Sequence, residues 1–195
     1  EHSEAERYKG ALPTTCRLGS KPSCALVGEQ LAIARDPQAQ ADAIALLEPA
    51  CAATVQGSCF NLATALFNES PVRDITRAAH LWNDTCEGGD PAGCFNAALA
   101  LRNLPEPKRT ADIARLETQA CDGKIFKACF NLATESDDAT AVTLYTRACD
   151  GADPESCTNL GLRYAVDGRG VAKDLKKAAA LFKRGCDLDD GLGCF

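Results

Sequence analysis

Apolar residues along the chain recur at spacings of three and four, as in Ile113, Leu116 and Ala120, or Leu175, Ala178, Leu181 and Phe182. That is the period of an amphipathic helix. The periodic segments are of two alternating kinds. One kind opens at a cysteine: Cys59-FNLATALFN, Cys94-FNAALALRN, Cys129-FNLATE and Cys157-TNLGLRYAV. The other closes at one: ADAIALLEPA-Cys51, DITRAAHLWNDT-Cys86, TADIARLETQA-Cys121, TAVTLYTRA-Cys149 and LKKAAALFKRG-Cys186. Between them lie strings rich in Gly, Asp and Pro, such as EGGDP and DGADP, which break helices. Asp90-Pro91 and Asp153-Pro154 supply an N-cap and a first-turn proline. Valine and isoleucine are too few and too scattered for strands, so the expectation is all-α.

The cysteines carry the repeat. They fall at 16 and 24, 51 and 59, 86 and 94, 121 and 129, 149 and 157, and 186 and 194, each pair a C-x7-C. Successive pairs begin 35, 35, 35, 28 and 37 residues apart, a period that signals an array of small units. The shortest interval is seven residues below the one before it, about two helical turns, so the buried face stays in phase. Zinc usually takes its structural ligands from C-x2-C knuckles, often with histidine. The chain has no C-x2-C and only two histidines, so zinc needs two distant pairs to converge. For disulfides, residues eight apart on one helix are about 12 Å apart along its axis, whereas bridged Cα atoms lie within about 7 Å. Each C-x7-C therefore encloses a chain reversal. Twelve cysteines allow about ten thousand connectivities. One local pairing satisfies all six units alike: Cys16–Cys24, Cys51–Cys59, Cys86–Cys94, Cys121–Cys129, Cys149–Cys157 and Cys186–Cys194.

The stretch SCTNLGLRYAVDGRGVAKDLKKAAALFKRGCDLDDGLGCF from Ser156 resembles the Sel1-like repeat, a relative of the tetratricopeptide repeat. The matching residues are Leu160-Gly161, Tyr164, Gly168-x-Gly170-Val171, Asp174, Lys177-Ala178 and Leu181-Phe182. The C-x7-C joint resembles that of the Helicobacter cysteine-rich proteins. The likeness is strongest over 149–195. It is looser over 51–149, where NESPV, NLPEP and ESDD replace the Gly-x-Gly-Val turn, and rests mainly on cysteine register over 16–51. It implies a right-handed α-solenoid with a concave groove, usually a protein-interaction scaffold, carrying one disulfide per repeat. The expected organisation is one solenoid domain over 1–195. It comprises a partial leading helix over 1–15, repeats at 16–50, 51–85, 86–120, 121–148 and 149–185, and the start of a further repeat at 186–195. The absence of methionine and the opening at Glu1 point to a processed or excised piece that has lost any targeting segment. The stop at Phe195, one residue past a helix-opening cysteine, points to a longer natural chain or a truncated helix.

Composition narrows the function. With 21 basic and 27 acidic residues the net charge is −6, the wrong sign for a nucleic-acid footprint or for docking on anionic lipid. No apolar run approaches the roughly 18 residues of a membrane span. Twelve cysteines in 195 residues suit an oxidising compartment, read as periplasmic or secreted. Some Helicobacter relatives are described as penicillin-binding or weakly β-lactam-hydrolysing. Here Ser-x-x-Lys, Ser-Asp-Asn and Lys-Thr-Gly are all missing, as are GxSxG and HExxH. A haem role, suggested for an intermembrane-space relative, finds no CxxCH. His80, beside Leu81-Trp82, reads as a partly buried structural histidine. The lone Gly168-x-Gly170 reads as the turn between helices and not as a phosphate loop. Trp82 shares its register with Tyr145 and Phe182 and reads as core.

One position invites a ligand. Asn61, Asn96, Asn131 and Asn159 each lie two residues after the second cysteine of a pair, and an amide can pair with both the donor and the acceptor of a peptide backbone. In tetratricopeptide relatives, first-helix asparagines contact bound peptide. The other reading is that each bonds a neighbouring helix or turn. Arg102 and Arg163, further along the same helices, would add carboxylate contacts. The sequence thus reads as a monomeric scaffold for a protein or extended peptide, with no catalytic residues, metal or cofactor. Two alternatives stand beside it: a β-lactam-binding or weakly hydrolysing protein, and an intermembrane-space-type assembly factor.

Overall fold

The computed structural model describes Cys16 and residues 20–34, 36–68, 73–105 and 109–194. The expected leading helix over 1–15 lies outside these. The described residues form ten α-helices, one short 3-10 helix and no strand. The helices are α1 (Lys21–Ala32), α2 (Pro37–Ala52), α3 (Ser58–Phe67), α4 (Ile75–Glu87), α5 (Pro91–Asn103), α6 (Thr110–Asp122), α7 (Phe126–Glu135), α8 (Asp138–Asp150), α9 (Pro154–Ala165) and α10 (Leu175–Asp187), followed by the 3-10 helix Gly191–Cys194. The chain divides into two compact units, residues 1–113 and 114–195.

In the first unit α1 packs on α2, α3 on α4, and α4 on α5. The buried residues are largely alanines, among them Ala39, Ala43, Ala63, Ala78 and Ala97, with Leu47, Leu62 and Trp82 as the large members. Small side chains let the helices approach closely: a Cβ on Gly28 would lie 2.6 Å from Cγ of Leu47. Asn68, just after α3, donates its Nδ2 to the Ala32 carbonyl at 2.7 Å and so ties the ends of α1 and α3.

In the second unit α7 packs on α8 and α9 on α10, around Ala133, Ala141, Tyr145 and Leu160. Arg147 on α8 donates to the Asp122 carboxylate and the Cys121 carbonyl at the end of α6. Arg184, at the same register in α10, reaches Asp150 at the end of α8. Each guanidinium meets a helix C-terminus, where unsatisfied carbonyls and the helix dipole favour a cation. The Gly168 and Gly170 pair forms the turn between α9 and α10, at φ of 78° and 82°. A Cβ on Gly170 would lie within overlap distance of the Asp138 backbone.

The joints between helix pairs are nearly identical. In the five described from Cys51 onward, the residue three past the first cysteine has positive φ: Thr54 at 55°, Gly89 at 91°, Lys124 at 70°, Ala152 at 66° and Asp189 at 72°. The N–H of the next residue reaches back to the carbonyl just before that cysteine, as in Val55 to Ala50 (3.0 Å), Asp90 to Thr85 (3.1 Å) and Asp190 to Gly185 (2.9 Å). This is a Schellman stop, which satisfies the last carbonyls of a helix. Asp90 and Asp153 then cap the following helix, accepting from the N–H groups of Ala92 and Ser156. These caps start α5 and α9 three residues ahead of their cysteines, earlier than the apolar pattern indicates. Six disulfides close the C-x7-C loops, with Cα–Cα distances of 4.5 to 4.8 Å, and no cysteine is free.

Left-handed backbone costs a non-glycine residue about 1–2 kcal/mol. Thr54→Gly should therefore raise the unfolding free energy by about 1 kcal/mol, and Gly89→Val should lower it by at least as much; urea titration followed by circular dichroism reads both. The sulfurs also differ in access. Both cysteines of the 86–94, 121–129 and 149–157 bridges are buried, whereas Cys194 is exposed. Under graded dithiothreitol, alkylation and mass spectrometry should find Cys186 and Cys194 labelled before those three pairs. The reverse order would refute this reading of access.

Candidate partner-binding site

The four asparagines occupy one register of α3, α5, α7 and α9, all half-buried, but they are not equivalent. Asn131 donates its Nδ2 to Oε1 of Glu117 at 3.0 Å, and Glu117 is only 1% exposed. Leaving a buried carboxylate short of a donor is costly, so Asn131 has a structural task. Asn159 donates to the Glu155 carbonyl of its own helix at 2.8 Å. Asn61 and Asn96 make no side-chain hydrogen bond among the described residues, and their amides are open to a ligand. The register thus splits, two committed and two uncommitted.

Arg163 already has its carboxylate. It pairs with Asp138 at the start of α8 and is largely buried, with its guanidinium 5.5 Å from the centre of the Tyr145 ring. Burial pushes the Tyr145 hydroxyl above its ordinary pKa, and Arg163 partly opposes that shift. Arg102 lies exposed in the last turn of α5.

The aromatic register of the second helices also divides. Trp82 is buried against Phe60 and Phe67, with centroids at 6.1 and 5.3 Å, and Tyr145 against Phe130 at 5.9 Å. Phe182 meets no aromatic of α9, where Thr158 follows Cys157 in the place of Phe60, Phe95 and Phe130, and its ring lies against Gly161 instead. Beside it opens a cavity of about 500 Å³ lined by Glu155, Thr158, Asn159, Leu162, Phe182, Asp190 and Leu192. Cysteine spacing does not reveal this cavity. His80 is exposed and not partly buried as its neighbours suggest. The inward face of α4 is taken by Ala78, Ala79, Trp82 and Cys86, and His80 points away from it.

Every cysteine is oxidised, so no thiolate is available as nucleophile or metal ligand. Among the described residues no group of three or more His, Cys, Asp or Glu side chains is placed to hold a metal ion. No described helix is long and apolar enough to cross a membrane.

Comparisons with known proteins agree with this geometry. The Sel1 repeat family matches residues 57–90, 127–153 and 154–190, which are the α3–α4, α7–α8 and α9–α10 pairs. No curated protein matches the chain. Among solved structures, a protective antigen present in uropathogenic Escherichia coli strains, with an SLR fold, aligns at TM-score 0.72 and 17% identity over 93% of this chain. The match covers 40% of that protein. A Sel1 repeat protein from Oxalobacter formigenes aligns at 0.68 and 17% identity, over 85% of this chain and 74% of its own. Cysteine-rich protein B of Helicobacter pylori aligns at 0.50 and 24% identity, over 63% of this chain and 93% of its own. The shared feature is the fold, an α-solenoid of helix pairs.

The split within the asparagine register is testable by stability. Asn131→Ala should cost about 1–3 kcal/mol, the range for leaving a buried polar group without its partner. Asn61→Ala and Asn96→Ala should stay within about 0.5 kcal/mol. Urea midpoints of the three variants provide the comparison.

Proposed function

The chain belongs to the Sel1 repeat family, and from that premise we propose that it is a non-enzymatic scaffold that holds a partner protein or an extended peptide. Sel1 repeats usually mediate protein–protein interaction. The contact surface in this reading is the concave side expected of the family, formed by first helices, with Asn61 and Asn96 as its amide anchors. The observation that carries the proposal is that these two amides sit at equivalent positions of α3 and α5 and have no hydrogen-bond partner among the described residues. A backbone presents a donor and an acceptor at every residue, and two repeated amides match it in kind. Helices fixed in advance by disulfides lose little freedom on binding, which favours affinity.

The scaffold works as a monomer outside the reducing cytosol, in a periplasm or secreted. Six disulfides with no free cysteine support that placement, since glutathione and thioredoxin keep cytosolic thiols reduced. The oxidised chain, immobilised as bait in extract from its native compartment, should enrich a defined set of proteins. The Asn61→Ala/Asn96→Ala double variant, with an unchanged unfolding curve, should lose them. Identical capture by both baits would overturn the amide assignment.

A further inference from the structure

We propose that the joint between α2 and α3 is a redox-sensitive hinge, which a dithiol opens at Cys51–Cys59 to free the start of α3. The joints at 86–94, 121–129 and 149–157 share one build. In each, three residues separate the helices, and the second helix starts three places before its cysteine. Both of their cysteines are buried. The 51–59 joint departs from that build in length, conformation, capping and burial. Five residues, 53–57, separate α2 from α3, and α3 starts only one place before Cys59. Two of the five are left-handed, Thr54 at φ 55° and Gly57 at 77°, where each of the other three joints has one such residue. Threonine is β-branched and tolerates that conformation poorly. Gly57, the N-cap, has no side chain to accept from the first turn of α3. Pro49 lies inside the last turn of α2 and offers no N–H to the Ala45 carbonyl. Cys51 and Cys59 are each only half-buried.

These features meet at one place. While the bridge is closed, it holds the reversal against the cost of the left-handed threonine and the missing helix bonds. Once it opens, nothing covalent offsets that cost, and the segment leaves its fixed path by local unfolding. At 86–94 and 149–157 the caps from Asp90 and Asp153 remain when the bridge is gone. Opening is a thiol–disulfide exchange. A thiolate of the dithiol attacks one sulfur, the S–S bond breaks, and the other cysteine leaves as a thiolate. The second sulfur of the dithiol then displaces the first cysteine. The dithiol ends as its own disulfide, and its two protons end on Cys51 and Cys59. An accessible bridge on a loosely held backbone is the labile kind. Because α3 carries Asn61, the hinge couples redox state to the amide pair. That consequence rests on the scaffold reading, whereas the hinge itself does not.

The test treats the oxidised chain with graded dithiothreitol, alkylates it and locates the labels by mass spectrometry. Cys51 and Cys59 should be labelled at least about tenfold faster than the cysteines of 86–94, 121–129 and 149–157. Thr54→Gly and Pro49→Ala each remove one cause without touching the sulfurs, and each should slow labelling of this pair about fivefold. In the partly reduced chain, hydrogen exchange should lose protection over residues 53–63 and keep it in α5 and α9. Equal labelling of the four pairs, unchanged labelling in both variants, or protection lost over the whole of residues 1–113 overturns the hinge. Bait alkylated only at Cys51 and Cys59 should capture less of the partner set that Asn61→Ala/Asn96→Ala loses. Early labelling of Cys51 and Cys59 beside undiminished capture by that double variant keeps the hinge and removes the amide assignment. Capture lost in the double variant beside equal labelling of the four pairs keeps the scaffold and removes the hinge.

Discussion

Each joint between helix pairs stacks three constraints on eight or nine residues: a Schellman stop with one left-handed residue, a disulfide across it, and the start of the next helix. The left-handed residue costs about 1–2 kcal/mol wherever it is not glycine, as at Thr54, Lys124, Ala152 and Asp189. Closing a loop of this length restrains the unfolded chain by about 2–3 kcal/mol in the chain-entropy treatment. The second term exceeds the first, so the joints tolerate threonine, lysine, alanine and aspartate where a glycine would be the unstrained choice. Disulfides more often rescue domains too small to bury a core. Here a substantial core exists, and the bridges fix where each helix begins relative to the last.

That fixity gives the repeat register its meaning. Once the second cysteine is anchored, the residue two places on always lies at the same point of its helix. The chain then uses the point differently from repeat to repeat. Asn131 serves the buried Glu117, while the Asn61 and Asn96 amides make no side-chain hydrogen bond among the described residues. The position one after the cysteine follows the same logic: Phe60 and Phe130 pack on the aromatic of the second helix, and Thr158 lies buried against Gly185 and Gly193.

Much of the frame was legible in the sequence, because two periods coincide. The three-and-four spacing of apolar residues marks helices, and the C-x7-C spacing forces a reversal at each joint. Asp90-Pro91 and Asp153-Pro154 mark two helix starts, and the structure finds their carboxylates capping as the residue types imply. The left-handed positions were not legible, since Thr54 and Lys124 carry no signal for positive φ; their conformation is imposed by the stop and the bridge together. The fate of each asparagine was equally hidden, because it depends on residues such as Glu117, fourteen positions away. Arg163 is another case: its carboxylate partner, Asp138, lies on a different helix.

The central claim is that every joint is closed locally by its own disulfide. Proteolysis of the native chain without reduction, followed by mass spectrometry of the linked peptides, tests it most directly. The account predicts six linkages, each within one C-x7-C pair, and no free thiol. A single linkage between cysteines of different joints would contradict it.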